Sequence, residues 1–472
     1  MKLHLILGLS GVLLITACGG GGEQVAGIDA RGTPLPSAVV SKGTITGFGS
    51  VIVNGVTYNT NSATFTIDGA AGTQSDLSVG DVVVVKGTVN DDGTSPTAAT
   101  VTFDDAVEGP ISAIDLTAQT ITVLGQMARI DAETSFDDSN GSVSLESLNI
   151  NDVVEVSGFF LADGSISATR IELKLVAGEF ELTGTVSNPA ATTFEINGFV
   201  VDFSTAMLEN FPGGAPEDGQ LVESKGTEFG LAGELRATLV EFKGGDFGED
   251  GDQAELEGFI TRFDSDTDFD VEGVPVITSG QTTYENGTSA DLALNRKVEV
   301  EGDINAAGVL VASNIEIKAS GFVRIDSLVE DVQADQLTVL GIVVRVDELT
   351  RYEDQSVEDR EPFNLSHVVV GNYVEIRGYE DAGGIVATRL EREDFDGTVA
   401  LRGFAENAVE PDFTILGVAI NTVLATVFQD LDGSLLDADE FFLQAGAGGR
   451  LVEATGTLNG AAITAAEVQL EN

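Results

Sequence analysis

The residues whose types and spacing could do chemistry in this chain are clusters of aspartates. Asp264, Asp266 and Asp268 occupy alternate positions, and Asp430 and Asp432 form a second cluster. Calcium binds six to eight oxygen atoms, which a loop supplies by wrapping around the ion. Neither cluster has EF-hand spacing, and alternate carboxylates of a strand point to one side. Two interpretations therefore stay open: a weak calcium site, or an acidic surface in contact with solvent. No other cofactor is expected.

Enzymatic chemistry finds little support in the residue types. Paired carboxylates could hydrolyse glycosidic bonds, but 77 acidic residues produce such pairs by chance. The two histidines are His4 and His367, and the one cysteine is Cys18, so neither a catalytic triad nor a Cys/His zinc site can be assembled. His367 precedes the apolar run that begins at Val368 and is expected to be structural or solvated. We predict a protein without enzymatic activity, and rank a carboxylate-dependent carbohydrate-active enzyme third among the functions considered.

The charge of the chain restricts its partners. The formal net charge is -54, with 23 basic residues and no tryptophan. Such a chain repels nucleic acid and lacks the basic groove with aromatic side chains that single strands require. Nucleic acid is therefore excluded as a partner, and a cationic partner, an envelope protein or a glycan is favoured.

The N-terminus has the pattern of an export signal. Lys2 is followed by a short apolar run over residues 3–15, and Ile15-Thr16-Ala17-Cys18 resembles a bacterial lipobox. The resemblance implies a signal peptide over residues 1–17, a lipidated (palmitate-bearing) Cys18, and a flexible tether over residues 18–42. Gly19 resembles the second residue of lipoproteins sent to the outer membrane. The alternative is an ordinary secretory signal. We predict a lipid-anchored outer-membrane protein facing the periplasm or the surface.

Three markers recur six times in the same order, which indicates internal repeats. A glycine closes a V-E-V-x-G strand, a second glycine follows an apolar residue at a hairpin, and an alanine lies in the last strand. The strand glycines are Gly87, Gly158, Gly226, Gly302, Gly378 and Gly456; the hairpin glycines are Gly55, Gly125, Gly198, Gly273, Gly341 and Gly417; and the alanines are Ala98, Ala168, Ala237, Ala312, Ala387 and Ala465. The markers predict repeats over 43–105, 106–177, 178–245, 246–318, 319–394 and 395–472, joined by short linkers.

Each repeat is predicted to contain five strands. In the second repeat these cover residues 110–114, 120–124, 127–131, 153–156 and 166–173. A polar segment of a helical turn or loop separates strands three and four. This layout predicts an all-β protein of six tandem five-stranded OB-like barrels, with a curled sandwich as the alternative. Asn54-Gly55 indicates a primed turn, whereas Leu124, Leu340 and Leu416 before the glycine favour a type I turn followed by a bulge.

The last strand of each repeat changes parity after its alanine. Ile166 and Ala168 share one face, whereas Ile171 and Leu173 share the other. Because a regular strand cannot bury both pairs, we predict a bulge directly after the alanine in every repeat. Thr169 and Arg170, and likewise Thr388 and Arg389, are then structural residues at a bend rather than ligand contacts.

A glutamate recurs in the fourth strand, on the face opposite to its valine neighbours. It is Glu155, Glu223, Glu299, Glu375 or Glu453, with Val84 in the first repeat. We expect this row to be either the solvated face of a strand or an acidic column that recruits a cationic partner.

The segments GSVIVNGVTYNT, DLSVGDVVVVKG and EGPISAIDLTAQTITVLGQMARIDAETSF resemble the bacterial domain of unknown function family 5666. The resemblance covers most of residues 43–471 and is looser in the third and sixth repeats. It implies tandem repeats in exported proteins, and it brings no activity and no functional residues.

We therefore expect a non-enzymatic cell-envelope lipoprotein that acts as a multivalent binding or spacer array. The alternative is a carbohydrate-binding or adhesin-type surface protein, with Phe159, Phe160 and Tyr379 as the exposed aromatic contacts.

Overall fold

A computed structural model describes residues 38–471 except 49, 90–94, 117, 132, 138–142, 175–177, 245–246, 319–322, 348, 361, 382–383, 432 and 447–449. The signal segment, Cys18 and the tether up to residue 37 lie outside these residues. Residues 38–42, which were expected to belong to the flexible tether, instead form the start of the first strand and pair with two other strands. The described chain is almost entirely β-structure, with four short 3-10 turns and one α-helix. No helix among these residues is long and apolar enough to cross a membrane.

The strands fall into consecutive groups. The first group is β1 (Ala38–Gly47), β2 (Val51–Val53), β3 (Val56–Tyr58), β4 (Thr64–Ile67), β5 (Ala70–Gly72), β6 (Val82–Thr88) and β7 (Thr97–Phe103). The second is β8 (Val107–Asp115), β9 (Thr120–Val123), β10 (Gln126–Arg129), β11 (Ser135–Asp137), β12 (Val153–Phe160) and β13 (Ile166–Lys174). The third is β14 (Phe180–Ser187), β15 (Thr193–Ile196), β16 (Phe199–Asp202), β17 (Met207–Glu209), β18 (Leu221–Phe229) and β19 (Leu235–Phe242).

The remaining strands repeat this arrangement. The fourth group is β20 (Gln253–Ser265), β21 (Asp268–Val271), β22 (Val274–Ile277), β23 (Thr283–Glu285), β24 (Lys297–Ile304) and β25 (Leu310–Ile317). The fifth is β26 (Val323–Val332), β27 (Gln336–Val339), β28 (Ile342–Arg345), β29 (Arg351–Asp354), β30 (Tyr373–Asp381) and β31 (Gly384–Glu393). The last is β32 (Val399–Val409), β33 (Asp412–Ile415), β34 (Val418–Asn421), β35 (Val427–Gln429), β36 (Leu435–Leu436), α1 (Ala438–Ala445), β37 (Leu451–Asn459) and β38 (Ala462–Glu471).

The second group shows how a barrel closes. Strand β8 pairs with both β9 and β12, β9 pairs with β10, β10 runs parallel to β13, and β13 pairs with β12. The order β8-β9-β10-β13-β12 returns to β8, so the sheet closes into the predicted small five-stranded barrel rather than a curled sandwich. Val154 and Val156 point into its core and are fully buried. Alternation of valines with polar residues along the strand produces this inward face.

The polar segment between strands three and four contains a short strand that the sequence pattern did not predict. In the second group the short strand β11 runs parallel to β13 and extends its edge. A 3-10 turn over Leu145–Ser147 follows. Three residues are too few to show a clear period-two pattern, which explains why the strand was not predicted.

Pairs of groups join through their first strands. Strand β8 pairs antiparallel with β14, β26 pairs antiparallel with β32, and β1 pairs parallel with β20. Three sheets of 13, 12 and 13 strands result. The second and third groups share one hydrophobic core cluster, as do the fifth and sixth. The first group is joined to the fourth, so the groups do not associate in chain order.

The predicted bulge is confirmed in every group. The register of the last strand shifts at the alanine, which leaves one extra residue unpaired: Ala99, Thr169, Thr238, Ser313, Thr388 or Ala466. The strand glycine lies opposite this bulge. A Cβ atom at any of these six glycines would lie 2.1 to 2.4 Å from a carbonyl oxygen of the last strand. The glycine and alanine markers are therefore two halves of one device that bends the strand.

The predicted turn at the leucine hairpins is wrong. Leu124, Leu340 and Leu416 have φ of 45°, 54° and 50°, and each is followed by a glycine with positive φ, so these copies use the same primed turn as Asn54-Gly55. Leu124 is only 4% exposed, and its side chain lies against Gly109 of the first strand. Burial of the leucine thus offsets the cost of the left-handed backbone, about 1–2 kcal/mol.

Candidate binding cavity

Two of the aspartates that suggested calcium, Asp264 and Asp268, are paired with an arginine. Arg262 contacts Asp264, Asp268 and Asp270 together, at 2.7 Å from Asp268 and 2.6 Å from Asp270. A guanidinium group therefore occupies the position that an ion would need. The Asp430 carboxylate accepts a hydrogen bond from the Leu431 amide, and Asp432 lies outside the described residues. The geometry does not support a calcium site at the first cluster.

Four of the five glutamates in the fourth strands are buried, which contradicts both interpretations drawn from the sequence for these four, whereas Glu453 is half-buried. Glu155, Glu223, Glu299 and Glu375 are each at most 9% exposed, and Glu223 is 1% exposed. These side chains do point away from their own barrel core. Strand β12, for example, pairs with β8, and β8 pairs with β14 of the third group, so Glu155 lies beside a junction between groups. An alternating pattern identifies two faces and cannot show what covers the second one.

Lysines from the last strand neutralise three members of this row. Lys318 lies 2.7 Å from Glu299 and 2.6 Å from Glu316. Lys243 bridges Glu223 and Glu241, and Lys174 bridges Glu155 and Glu172, in the same arrangement. Buried charges are tolerated only when paired, so each lysine stabilises the fourth and last strands of its own group. Lys243 also lies 3.0 Å from Asp104, which follows the last strand of the first group. A Glu-x-Lys pattern recurs at the end of the last strand, at residues 172–174, 241–243 and 316–318, and it could have predicted these ion pairs.

A cavity of about 1050 Å³ lies where five of the groups meet. Its wall includes Thr44 from the first group, Glu133 from the second, Lys297 from the fourth, Arg324 from the fifth and Arg402 from the last. Seven of the chain's 23 basic residues line it: Arg296, Lys297, Lys318, Arg324, Arg351, Arg377 and Arg402. Only nine of the 77 acids do so: Asp131, Glu133, Glu146, Glu257, Glu299, Glu316, Asp347, Glu453 and Glu471. The cavity therefore collects a larger share of the chain's bases than of its acids, although the nine acids of its lining still outnumber the seven bases.

Four arginines form a continuous row across adjacent strands beside this cavity. Arg402 on β32 is directly opposite Arg324 on β26, Arg324 is opposite Arg377 on β30, and Arg377 is opposite Arg389 on β31. Like charges at opposed positions destabilise a sheet unless other groups compensate them. The antiparallel pairing of β26 with β32 creates the row, because it brings the fifth and last groups into contact.

The compensation is uneven along the row. Arg324 lies 2.6 Å from Asp326 and 3.0 Å from Glu375, and Arg377 donates a 2.8 Å hydrogen bond to Glu375. Among the described residues, Arg402 has Glu471 as its one ion-pair partner, at 3.9 Å. Its Nε is buried and donates no hydrogen bond to any residue that the structure describes. Burial and the neighbouring Arg377 lower the pKa of Arg402 below its ordinary value. Arg402 is thus the most weakly paired arginine of the row.

Contacts between groups fix the cavity. Arg351 of the fifth group binds the backbone oxygen and the carboxylate of Glu133 in the second group. Thr388 donates a 2.8 Å hydrogen bond to the same carboxylate, and Arg389 donates to the Thr134 carbonyl at 3.2 Å. Thr388 and Arg389 therefore have structural roles, as predicted for residues at the bulge.

The aromatic residues expected to contact glycans take different places. Phe159 is fully buried, meets Phe259 edge to face, and has the Lys297 ammonium 4.9 Å above its ring. Phe160 packs against the core of its group, so neither ring is an exposed contact. Tyr379 is half-buried and lines the cavity.

The prediction of a structural role for His367 is confirmed. Its Nδ1 accepts a hydrogen bond from the Asn364 amide, and its ring stacks on Phe363 at 6.0 Å.

The sequences of these barrels match one family of known protein domains. The family described as "Domain of unknown function (DUF5666)" matches residues 40–102, 108–172, 257–316 and 326–391. The solved structure titled "drosophila Unr CSD456" is 12% identical, with 45% of this chain and 97% of that chain covered and a TM-score of 0.11, a similarity too low to support an argument. No curated protein is significantly similar to the chain. The matched segments make up more than half of the 472 residues, and the chain belongs to the DUF5666 family of repeated domains.

Proposed function

We propose that this protein is a non-enzymatic, lipid-anchored binding protein of the bacterial cell envelope, and that its central cavity binds a small anionic ligand. The observation that carries the proposal is Arg402. It is a poorly neutralised arginine at the end of a four-arginine row, on the wall of a cavity of about 1050 Å³. A cavity of this size accommodates a ligand of several rings.

The same proposal includes six repeats. Residues 178–245 and 395–472 are interpreted as two divergent copies of the family domain. The strand pairing in these segments supports this, since β16 runs parallel to β19 and β34 runs parallel to β38, as β10 does to β13. The repeat boundaries given above remain part of the proposal.

The ligand is inferred from the donors that the cavity offers. Arginine presents a planar fork of N–H groups that matches carboxylate or phosphate oxygens. Tyr379 adds an aromatic surface. An acidic oligosaccharide combines carboxylates with ring faces, so it is the ligand class we favour. This places the carbohydrate-binding alternative inside the cavity rather than on exposed aromatic side chains.

Binding fits the arrangement of the groups better than a spacer role does. A spacer gains length when its units follow one another in space. Here β1 pairs with β20, which brings the first group back to the fourth. The pairing brings groups together around one cavity instead of extending the chain.

The experiment is a binding titration of the mature chain with acidic oligosaccharides and, separately, with inorganic phosphate. Arg402→Gln should weaken binding about 10-fold or more, the usual effect of losing a charge-assisted hydrogen bond of about 1.5–3 kcal/mol. The matched control is Arg236→Gln, an exposed arginine of the third group that does not line the cavity. Equal affinities of the two variants, with circular dichroism showing both folded, would reject the cavity as the site. Binding of phosphate alone would exclude the saccharide.

A further inference from the structure

A row of glutamates crosses the junction between the second and third groups. Glu155 on β12 is directly opposite Glu172 on one side and Glu108 on the other, and Glu108 is opposite Glu181 on β14. Four carboxylates at successive opposed positions repel one another. This junction therefore needs positive charge, as the arginine row needs negative charge.

Asp105 adds a further carboxylate at the same place. It lies in the connection between β7 and β8, is 1% exposed, and neither of its carboxylate oxygens has a hydrogen-bond partner among the residues that the structure describes. One oxygen of Glu181, which is 4% exposed, likewise has no partner in the described part of the chain. A buried carboxylate without any donor is strongly unfavourable unless a cation or a proton compensates it.

The geometry of these groups suits a cation. One carboxylate oxygen each from Asp68, Asp105 and Glu181 lie within 4.8 Å of one another, and the same holds for Asp105, Glu108 and Glu155. Calcium–oxygen distances are about 2.4 Å, so ligands on opposite sides of one ion are about 4.8 Å apart. Asp105 belongs to both sets, which makes it the centre of the arrangement.

The lysines present do not balance the charge. Lys225 lies 2.6 Å from Glu181, and Lys174 is engaged with Glu155 and Glu172. Two lysines face six carboxylates once Glu172 is included, a formal excess of four negative charges. Burial raises the pKa of Glu181 to about 8 and that of Glu108 to about 7, and it raises the pKa of Asp105 well above its usual range. Protonation is thus the competing way to relieve this repulsion.

We propose that Asp68, Asp105 and Glu181, with Glu108 and Glu155 next to them, bind one calcium ion that joins the first three strand groups. The ligands are all carboxylates, which hard cations prefer, and no histidine or cysteine is among them. Calcium is favoured over magnesium because it accepts irregular coordination by six to eight oxygens. Asp68 is half-buried and gives the ion a route from solvent.

The test uses the mature chain stripped with a chelator and then titrated with calcium at pH 7.5 and constant ionic strength. Thermal unfolding should shift upward saturably, and equilibrium dialysis with radioactive calcium should give one tight site per chain. Asp105→Asn should remove that site or weaken it at least 10-fold, and Glu181→Gln should weaken it as well. The control Asp264→Asn, in the cluster that Arg262 neutralises, should bind calcium as the unchanged chain does.

Three outcomes would overturn the proposal. The first is that the unchanged chain binds no calcium in dialysis. That result would indicate that protonation relieves the repulsion between these carboxylates. The second is that folded Asp105→Asn keeps the tight site. The third is that magnesium raises the unfolding temperature of the unchanged chain and of Asp105→Asn as much as calcium does. That result would indicate that divalent cations only screen the negative charge of the protein. Circular dichroism establishes that each variant is folded, so a lost site is distinguished from a lost fold.

Discussion

Replacement of Gly378 by alanine tests the bulge that shapes every barrel. A Cβ atom at this position would lie 2.1 Å from the Val386 carbonyl oxygen of the paired strand, a contact that side chains do not make. Strands β30 and β31 must therefore move apart by roughly 1 Å, against the close packing of the barrel. Overpacking by one methyl group costs about 1–3 kcal/mol, and alanine regains about 0.4–1 kcal/mol through the unfolded chain. The clash dominates, and Gly378→Ala should destabilise its barrel by about 2 kcal/mol.

The assay must report on one barrel, because a chain of several barrels does not unfold in two states. Native-state hydrogen exchange of the β30 and β31 amides does so, and about 2 kcal/mol corresponds to roughly 30-fold faster exchange. Gly341→Ala is the control. Its φ is 72° and no atom lies within 4 Å of the added Cβ, so only the left-handed backbone opposes it, at a net cost of about 1 kcal/mol or less. Exchange in Gly378→Ala no faster than in Gly341→Ala would refute the steric account of the glycine marker.

Two further predictions concern pH and the anchor. Burial raises the folded-state pKa of Asp68 to about 6, of Glu108 to about 7 and of Glu181 to about 8, whereas the unfolded chain releases these protons near pH 4; the folded state therefore holds more protons, and the thermal midpoint of the metal-free chain should fall as pH rises from about 5 to 8. A midpoint that rises over this range in differential scanning calorimetry would contradict the sign. Cys18→Ser should release the protein from membrane fractions in the expressing bacterium, and continued sedimentation with membranes would show that residues 15–18 do not direct lipidation.

Much of each barrel could be predicted from the chain because its determinants are local. The change of parity after Ala168 requires a bulge wherever both apolar pairs are buried, and the pairing of Gly158 with Ala168 shows that bulge. Gly158 is needed at this place because a Cβ atom there would lie 2.4 Å from the carbonyl oxygen of Ser167. The bulge and the glycine depend only on residues of two paired strands, and the pattern of those two strands recurs six times in the sequence.

The turn type at the leucine hairpins could not be predicted from the local sequence. Leucine disfavours positive φ, so a different turn was expected at Leu124. The side chain is buried against Gly109, and that packing overrides the backbone preference. The short strand β11 was missed for the opposite reason, since three residues that rely on the edge of β13 have too little pattern of their own.

The sequence by itself determined the barrel, its bulge and its family, because these follow from alternation and from glycines within about 70 residues of one another. Tertiary structure alone decided which barrels pair. That choice buried the glutamates expected in solvent, aligned Arg402 with Arg324 and Arg377, and brought Asp105 to Glu181. The physical reason is that the outer face of a strand carries polar residues both when water covers it and when another charged strand covers it. The sequence pattern is therefore the same in the two cases. Only the pairing of β8 with β14 and of β26 with β32 converts those polar faces into buried rows of like charge, and those rows are the candidate sites.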